Sequence, residues 1–171
     1  MAAFAVLLAL LVAPSAASSP TGPAIVGGTP ASPGEYPAQG WLLFNLDGNP
    51  DYEAECGGSL VGSRWFLTAA HCALDATGFA VLLGDIDVRP PNSDFYGVVG
   101  ADVNAEYNGL TGQNDVAMLK LDRPAPYQPL RVIGTNESSS WGPGTSARII
   151  GWGTTSEGGN PRKEETPPMS C

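Results

Sequence analysis

The stretch Gly57-Gly58-Ser59-Leu60-Val61-Gly62-Ser63-Arg64-Trp65-Phe66-Leu67-Thr68-Ala69-Ala70-His71-Cys72 contains two short apolar runs separated by turn-forming residues. The same pattern continues outward in both directions. Six runs have the length of a strand: residues 39–44, 57–61, 65–69, 79–83, 95–99 and 116–121. Turn clusters lie at residues 47–50, 89–92 and 108–112. Strands of this length and spacing predict an all-β fold, either an antiparallel sandwich or a small barrel.

The composition agrees with a turn-rich globular protein. Of 171 residues, 43% are hydrophobic, and Gly (22) and Pro (16) are frequent enough to make long helices improbable. Lys and Arg number 8 against 17 Asp and Glu, a formal net charge of -9. Binding to nucleic acid or anionic lipid needs clustered cations, so we expect neither a nucleic-acid partner nor a membrane-bound mature form.

The first 24 residues carry no charged side chain. An apolar run at residues 4–13 is followed by Pro14 and small residues up to Ala17, which predicts a secretory signal peptide at residues 1–17. The alternative is a buried or membrane helix, but the run is shorter than the roughly 20 residues that span a bilayer. Residues 18–24 form a short Ser/Pro/Gly segment. Secretion would permit disulfides.

His71 is the only histidine of the chain, and Asp115 stands at the start of a later apolar run. A carboxylate at such a position can accept a hydrogen bond from one imidazole nitrogen. That bond fixes the tautomer and leaves the other nitrogen free to act as a base. By residue type alone, an unrelated pair of surface residues explains the same sequence.

The three cysteines leave two alternatives. A bridge between Cys56 and Cys72 would pin the His71 strand to its neighbour and stabilise it by about 3 kcal/mol, with Cys171 left over. Three Cys and one His are also enough ligands for a zinc site. Against zinc, adjacent His71 and Cys72 on an extended segment would point to opposite faces.

Five motifs occur in order and together resemble those of the trypsin/chymotrypsin-like serine endopeptidases over residues 25–155. They are Ile25-Val26-Gly27-Gly28, Cys56-Gly57-Gly58-Ser59-Leu60, Leu67-Thr68-Ala69-Ala70-His71-Cys72, Asn114-Asp115-Val116-Ala117-Met118-Leu119-Lys120-Leu121 and Gly151-Trp152-Gly153. The resemblance implies two antiparallel β-barrels with the active site between them. It also implies that His71 is the general base, that Asp115 orients it and that Cys56 and Cys72 form a disulfide. The implied activity is hydrolysis of peptide bonds in protein or peptide substrates, with no cofactor.

The family's nucleophilic serine lies in a Gly-Asp-Ser-Gly-Gly-Pro string, which the 171 residues do not contain. Ser170 lacks the flanking glycines that shape an oxyanion hole. We therefore expect a truncated or frame-altered chain that is inactive alone; the alternative function is a non-catalytic protein-binding module. The expected segments are a signal peptide (1–17), a propeptide (18–24), a complete first barrel (25–145), the start of a second barrel (146–155) and an irregular tail (156–171).

In this family, cleavage before the Ile-Val-Gly-Gly segment frees an activating α-amino group, which would be that of Ile25. The preceding residue is Ala24, and residues 1–24 contain no Lys or Arg, so a trypsin-specific protease has nothing to recognise there. The activating protease would be of another specificity. The alternative is that Ile25 simply begins a strand.

Three further features are less specific. Asn136-Glu137-Ser138 is an N-glycosylation sequon in a predicted surface loop. Asp85 and Asp87, with Asp94 nearby, resemble the region where some relatives hold calcium, although three carboxylates in a loop are more often only solvated charge. The apolar run at residues 147–152 would lack a partner sheet, so we expect poor solubility, disorder or dimerisation there.

Overall fold

A closed antiparallel β-barrel forms the body of the protein in this computed structural model, which describes residues 29–44, 54–76, 78–85, 94–140, 142–152 and 169–170. The barrel strands are β2 (Gln39–Phe44), β3 (Ala54–Gly62), β4 (Trp65–Thr68), β5 (Phe79–Leu83), β6 (Asp94–Val103) and β7 (Ala117–Leu121). They follow one another around the barrel in the order β2-β3-β4-β7-β6-β5, and β5 pairs back to β2. The prediction of an all-β fold with a small antiparallel barrel is confirmed.

Side chains alternate between the barrel interior and its surface because successive residues of a strand point to opposite faces. In β7, Ala117, Leu119 and Leu121 are buried while Lys120 is exposed. The fully buried aliphatic and aromatic side chains of the other strands complete one core. Its members include Leu42, Leu60, Phe66, Val81, Leu83 and Tyr96.

Phe66 fills the middle of this core because two glycines leave room for its ring. A Cβ atom built on Gly40 or on Gly58 would lie 2.4 Å from a ring carbon of Phe66, closer than any real contact. The two glycines therefore allow β2 and β3 to approach the ring, and their exchange for alanine would overpack the core.

The observed strands differ from the predicted ones mainly at their ends. The predicted bounds 39–44 and 79–83 are those observed, whereas β3 and β6 extend beyond the predicted 57–61 and 95–99. The predicted turn at 108–112 is present, with the backbone N–H groups of Thr111 and Gly112 donating to the carbonyl of Asn108. The turn predictions at 47–50 and 89–92 lie outside the described residues.

A second, three-stranded sheet joins segments far apart in sequence. Its strands are β1 (Thr29–Pro30), β9 (Met169–Ser170) and β8 (Ile150–Gly151), with β9 in the middle. Two residues of the segment predicted to be an irregular tail thus form a strand, since the backbones of β1 and β8 offer open hydrogen-bonding edges on either side.

The run at residues 147–152 is only partly without cover. Trp152 packs edge-on against Trp41 of the barrel, with ring centroids 5.3 Å apart. Arg148 hydrogen-bonds the hydroxyl of Tyr36, and Ile149 remains 68% exposed. The expectation that this run lacks a partner sheet is therefore wrong for Ile150 and Gly151, which pair with β9, and Trp152 is covered by the barrel.

No helix within the described residues is long and apolar enough to span a bilayer.

Candidate functional site

The pairing of β4 with β7 places the two predicted site residues at one end of the barrel. Thr68, the last residue of β4, lies opposite Ala117, the first residue of β7. The residues after Thr68 and those before Ala117 therefore lie next to each other at the same end of this strand pair. His71 follows on a 3₁₀ turn (Ala70–Cys72), and Asp115 precedes β7 by two residues.

Asp115 holds His71 through both the ring and the backbone. Its Oδ2 atom lies 2.7 Å from His71 Nδ1, and its Oδ1 atom accepts the His71 backbone N–H at 2.8 Å. The hydrogen bond from the His71 side chain holds the pKa of Asp115 below its usual value, and the backbone N–H groups of His71 and Ala70 add to this effect. Asp115 is thus a carboxylate near neutral pH and only accepts hydrogen bonds.

The tautomer of His71 follows from this contact. Because the Asp115 carboxylate only accepts, the neutral His71 ring must carry its proton on Nδ1, and Nε2 keeps a free lone pair. The His71 side chain is 58% exposed and that of Asp115 is 28% exposed. The arrangement is therefore an oriented base that a second group can reach from solvent.

Asn114 sets the direction of Asp115, a role that the sequence analysis missed. Its backbone has a φ of 57°, in the left-handed region that asparagine tolerates better than most residues. Its side-chain amide donates to the carbonyl of Glu106 at 3.1 Å, and its carbonyl accepts the N–H of Val116 at 2.9 Å. The Asn114-Asp115 pair, separated from β7 by Val116, is the one sequence signal that could have indicated this turn.

Cys56 and Cys72 form a disulfide beside the imidazole. Nε2 of His71 lies 3.3 Å from the Sγ of Cys72 and 4.0 Å from the Sγ of Cys56. The expectation that His71 and Cys72 point to opposite faces is wrong. β4 ends at Thr68, and the two residues lie on a 3₁₀ turn, where neighbours diverge by about 120° rather than 180°. With the bridge formed, neither sulfur is a thiolate available to zinc.

The remaining predicted residues lie apart from this pair or outside the described part of the chain. Ile25, Asp87 and Cys171 are outside it. Asp85 follows β5, whereas Asp94 accepts hydrogen bonds from the Tyr96 hydroxyl at 2.6 Å and from Arg123 at 2.9 Å. Both oxygens of the Asp94 carboxylate thus accept hydrogen bonds from protein donors.

The sequon residue Asn136 is exposed. Its neighbour Glu137 accepts the Gly134 backbone N–H at 2.8 Å and pairs with Arg131 at 2.6 Å. These contacts fix the loop in a turn that presents Asn136 to solvent.

Comparison with known proteins identifies similar chains. The family model described as Trypsin matches residues 25–170. Brachyurin from Leptuca pugilator is 36% identical over 138 residues, covering 78% of this chain and 57% of brachyurin. Kallikrein-7 from Homo sapiens is 31% identical over 150 residues, covering 88% of this chain and 56% of kallikrein-7. A solved structure of HL collagenase has a TM-score of 0.71 at 27% identity, covering 86% of this chain and 61% of the collagenase chain. The chain thus spans little more than half the length of these curated relatives.

Proposed function

The chain belongs to the trypsin family of serine proteases, and on that premise we propose that His71 and Asp115 are the base and its orienting carboxylate for peptide-bond hydrolysis. The observation that carries the proposal is the 2.7 Å contact between His71 Nδ1 and Asp115 Oδ2. It leaves Nε2 as the proton acceptor on an exposed ring.

The chemistry that this pair would perform is general acid–base catalysis. Nε2 of His71 takes the proton of a serine hydroxyl as that oxygen attacks the substrate carbonyl, and it later gives the proton to the leaving amine. The Asp115 carboxylate stabilises the imidazolium that forms in between. Two contacts hold Asp115 in place, so the ring does not have to reorient during the reaction.

The test of this role uses any longer product of the same gene, identified by reading the transcript past the codon for Cys171. We expect a product with a Gly-Asp-Ser-Gly-Gly-Pro string to hydrolyse peptides. His71→Ala should lower kcat by roughly 10⁶-fold and Asp115→Asn by roughly 10⁴-fold. Asp122→Asn, at the opposite end of β7, serves as the control with unchanged kcat. Full activity in the His71→Ala variant would refute the role.

For the 171 residues by themselves, we propose that no acyl-enzyme forms. The sequence contains no Gly-Asp-Ser-Gly-Gly-Pro string, so the base has no serine of that kind to activate. A fluorophosphonate probe added to the purified chain should leave its mass unchanged. Stoichiometric labelling that disappears in the His71→Ala variant would contradict this proposal.

A second candidate function is a non-catalytic module that binds another protein. The net charge of -9 suits a basic partner surface. The two functions are distinguished by the probe experiment together with a binding measurement: a module binds its partner equally well with His71→Ala, whereas an enzyme loses turnover.

We also propose that the protein is secreted, with residues 1–17 removed as a signal peptide and residues 18–24 removed before Ile25. Sequencing the N-terminus of the secreted product distinguishes a start at Ser18 from a start at Ile25. A retained Met1 would contradict secretion by this route. Glycosylation at Asn136 is the accompanying proposal, and a mass loss on treatment with a peptide N-glycosidase, absent in Asn136→Gln, tests it.

A further inference from the structure

The contact between the His71 ring and the two sulfurs suggests a second use of the same residues. We propose that reduction of the Cys56–Cys72 disulfide creates a site for a thiophilic divalent cation, with Zn²⁺ as the natural ligand. Its donors are the Sγ atoms of Cys56 and Cys72 and the Nε2 atom of His71. These three atoms already lie within 4.8 Å of one another.

The separations of the donor atoms fit a tetrahedral metal ion. Zn–S bonds of about 2.3 Å and a Zn–N bond of about 2.0 Å require a nitrogen-to-sulfur separation of about 3.5 Å. The observed distances from His71 Nε2 are 3.3 Å to Cys72 Sγ and 4.0 Å to Cys56 Sγ, one on each side of that value. Once the bond between the sulfurs is broken, they move apart to ordinary contact, which is the separation that two thiolate ligands need.

Asp115 prepares the imidazole for this role. Histidine ligands of metal ions characteristically donate their second ring N–H to a carboxylate or carbonyl, which fixes the tautomer and increases the basicity of the ligating nitrogen. Asp115 Oδ2 accepts from Nδ1 at 2.7 Å, so the lone pair of the neutral ring is on Nε2, the ring nitrogen that lies near the sulfurs. The backbone N–H of His71 on Oδ1 keeps the carboxylate in place.

The strands that carry the cysteines are joined by contacts other than the disulfide. β3, which contains Cys56, pairs with β4 through Ser59 with Leu67 and Leu60 with Phe66. The Thr68 hydroxyl donates to the Gly57 carbonyl at 2.9 Å. These contacts do not depend on the bridge, so the two thiols stay close after reduction. The exposed side of the His71 ring gives a cation access from solvent.

The chemistry balances in two steps. A phosphine reductant takes the disulfide and one water to two thiols and the phosphine oxide. Binding of Zn²⁺ then releases the two thiol protons and leaves three protein ligands with one open coordination position. The metal uses the Nε2 lone pair that a base needs, so the metal-bound form cannot accept a proton there. This inference does not rest on the proposed peptidase role.

The experiment titrates Co²⁺ into the purified chain under anaerobic conditions, before and after treatment with a phosphine. Thiolate-to-cobalt charge-transfer absorption reports the sulfur ligands, and Zn²⁺ should displace it. We expect no band before reduction and a saturable, stoichiometric band after it. His71→Gln should weaken binding at least 10-fold, and Asp115→Asn should weaken it by about 10–100-fold. Asp122→Asn, whose residue lies beyond the other end of β7, should bind as the unmodified chain does.

Three results would overturn the inference. One is the absence of a band in the reduced chain. Another is equal Co²⁺ affinity in the reduced unmodified, His71→Gln and Asp115→Asn chains, which is what the three cysteines of an unfolded chain would give. The third is loss of the barrel on reduction alone, measured by far-ultraviolet circular dichroism, because the site needs the β3–β4 frame.

Discussion

The barrel and the three-stranded sheet differ in how fully their strands are paired and in how well their side chains are buried. Every barrel strand has a hydrogen-bonded neighbour on both sides, and inward side chains such as Leu119 are fully buried. The strands of the small sheet are two residues long, and Ile149 beside it is 68% exposed. Because the barrel is closed, each of its strands hydrogen-bonds only to other barrel strands. The small sheet contacts the rest of the protein through side chains such as Trp152 and Arg148.

The candidate site lies on the barrel, whose strands are paired on both sides, and not on the small sheet. His71 and Asp115 flank β4 and β7, two paired barrel strands, and their geometry follows from that pairing. Perturbations of the barrel are therefore expected to destabilise the protein more than perturbations of the attached segment (residues 147–152).

The largest effect is expected from removing the central core side chain. Phe66→Ala empties the space between Gly40 and Gly58 and should lower the free energy of unfolding by about 4 kcal/mol. Ile149→Ala, in the attached segment, should change it by less than about 0.5 kcal/mol. Urea unfolding followed by tryptophan fluorescence measures both, and similar losses would remove the distinction between the two regions.

The disulfide is expected to contribute slightly less. Cys56→Ala with Cys72→Ala removes a bridge across 16 residues, which should lower the free energy of unfolding by about 3 kcal/mol. Adding a reductant should shift the unmodified chain by a similar amount and leave the double variant unchanged. A double variant as stable as the parent would mean that the β3–β4 pairing alone holds this corner.

Tyr96 should make barrel stability sensitive to alkaline pH. Burial, together with the hydrogen bond to Asp94, raises the pKa of Tyr96 well above its usual value of about 10. The unfolded chain ionises first, so stability is fully present below pH 10 and declines as pH rises above it. Urea unfolding at a series of alkaline pH values measures this slope. Tyr96→Phe should reduce it, and an identical slope in that variant would contradict the assignment.

The smallest effect is expected in the attached segment. Trp152→Ala removes the edge-on contact with Trp41, which should be worth about 1 kcal/mol and should act locally. Amide hydrogen exchange should accelerate at Ile150 and Gly151 while the amides of β2 to β7 keep their protection. Uniform acceleration across the barrel would show that the two regions unfold together.

The barrel strands could be predicted from sequence because their signals are local. Alternation in β7 and the turn cluster at 108–112 need no knowledge of distant residues. The pairing of Met169–Ser170 with Thr29–Pro30 could not be predicted, since two-residue strands carry no periodicity and their partners lie far away in sequence.

The sequence predicts the candidate site only in part. His71 and Asp115 stand out by residue type and position, but only the register of β4 against β7 brings them together. The prediction that His71 and Cys72 point to opposite faces was wrong because β4 ends at Thr68. In the 3₁₀ turn that follows, neighbouring side chains do not alternate between two faces. The left-handed Asn114 is a backbone feature that residue type suggests but does not require.

The measurement closest to the central claim is proton NMR of the purified chain, in which His71 is the only histidine. We predict a low-field, hydrogen-bonded Nδ1 proton at neutral pH that disappears in Asp115→Asn. It should persist on acidification until Asp115 protonates, below the usual carboxyl pKa of 3.8. A neutral ring protonated on Nε2, or a spectrum that Asp115→Asn leaves unchanged, would contradict the claim that the barrel assembles this pair.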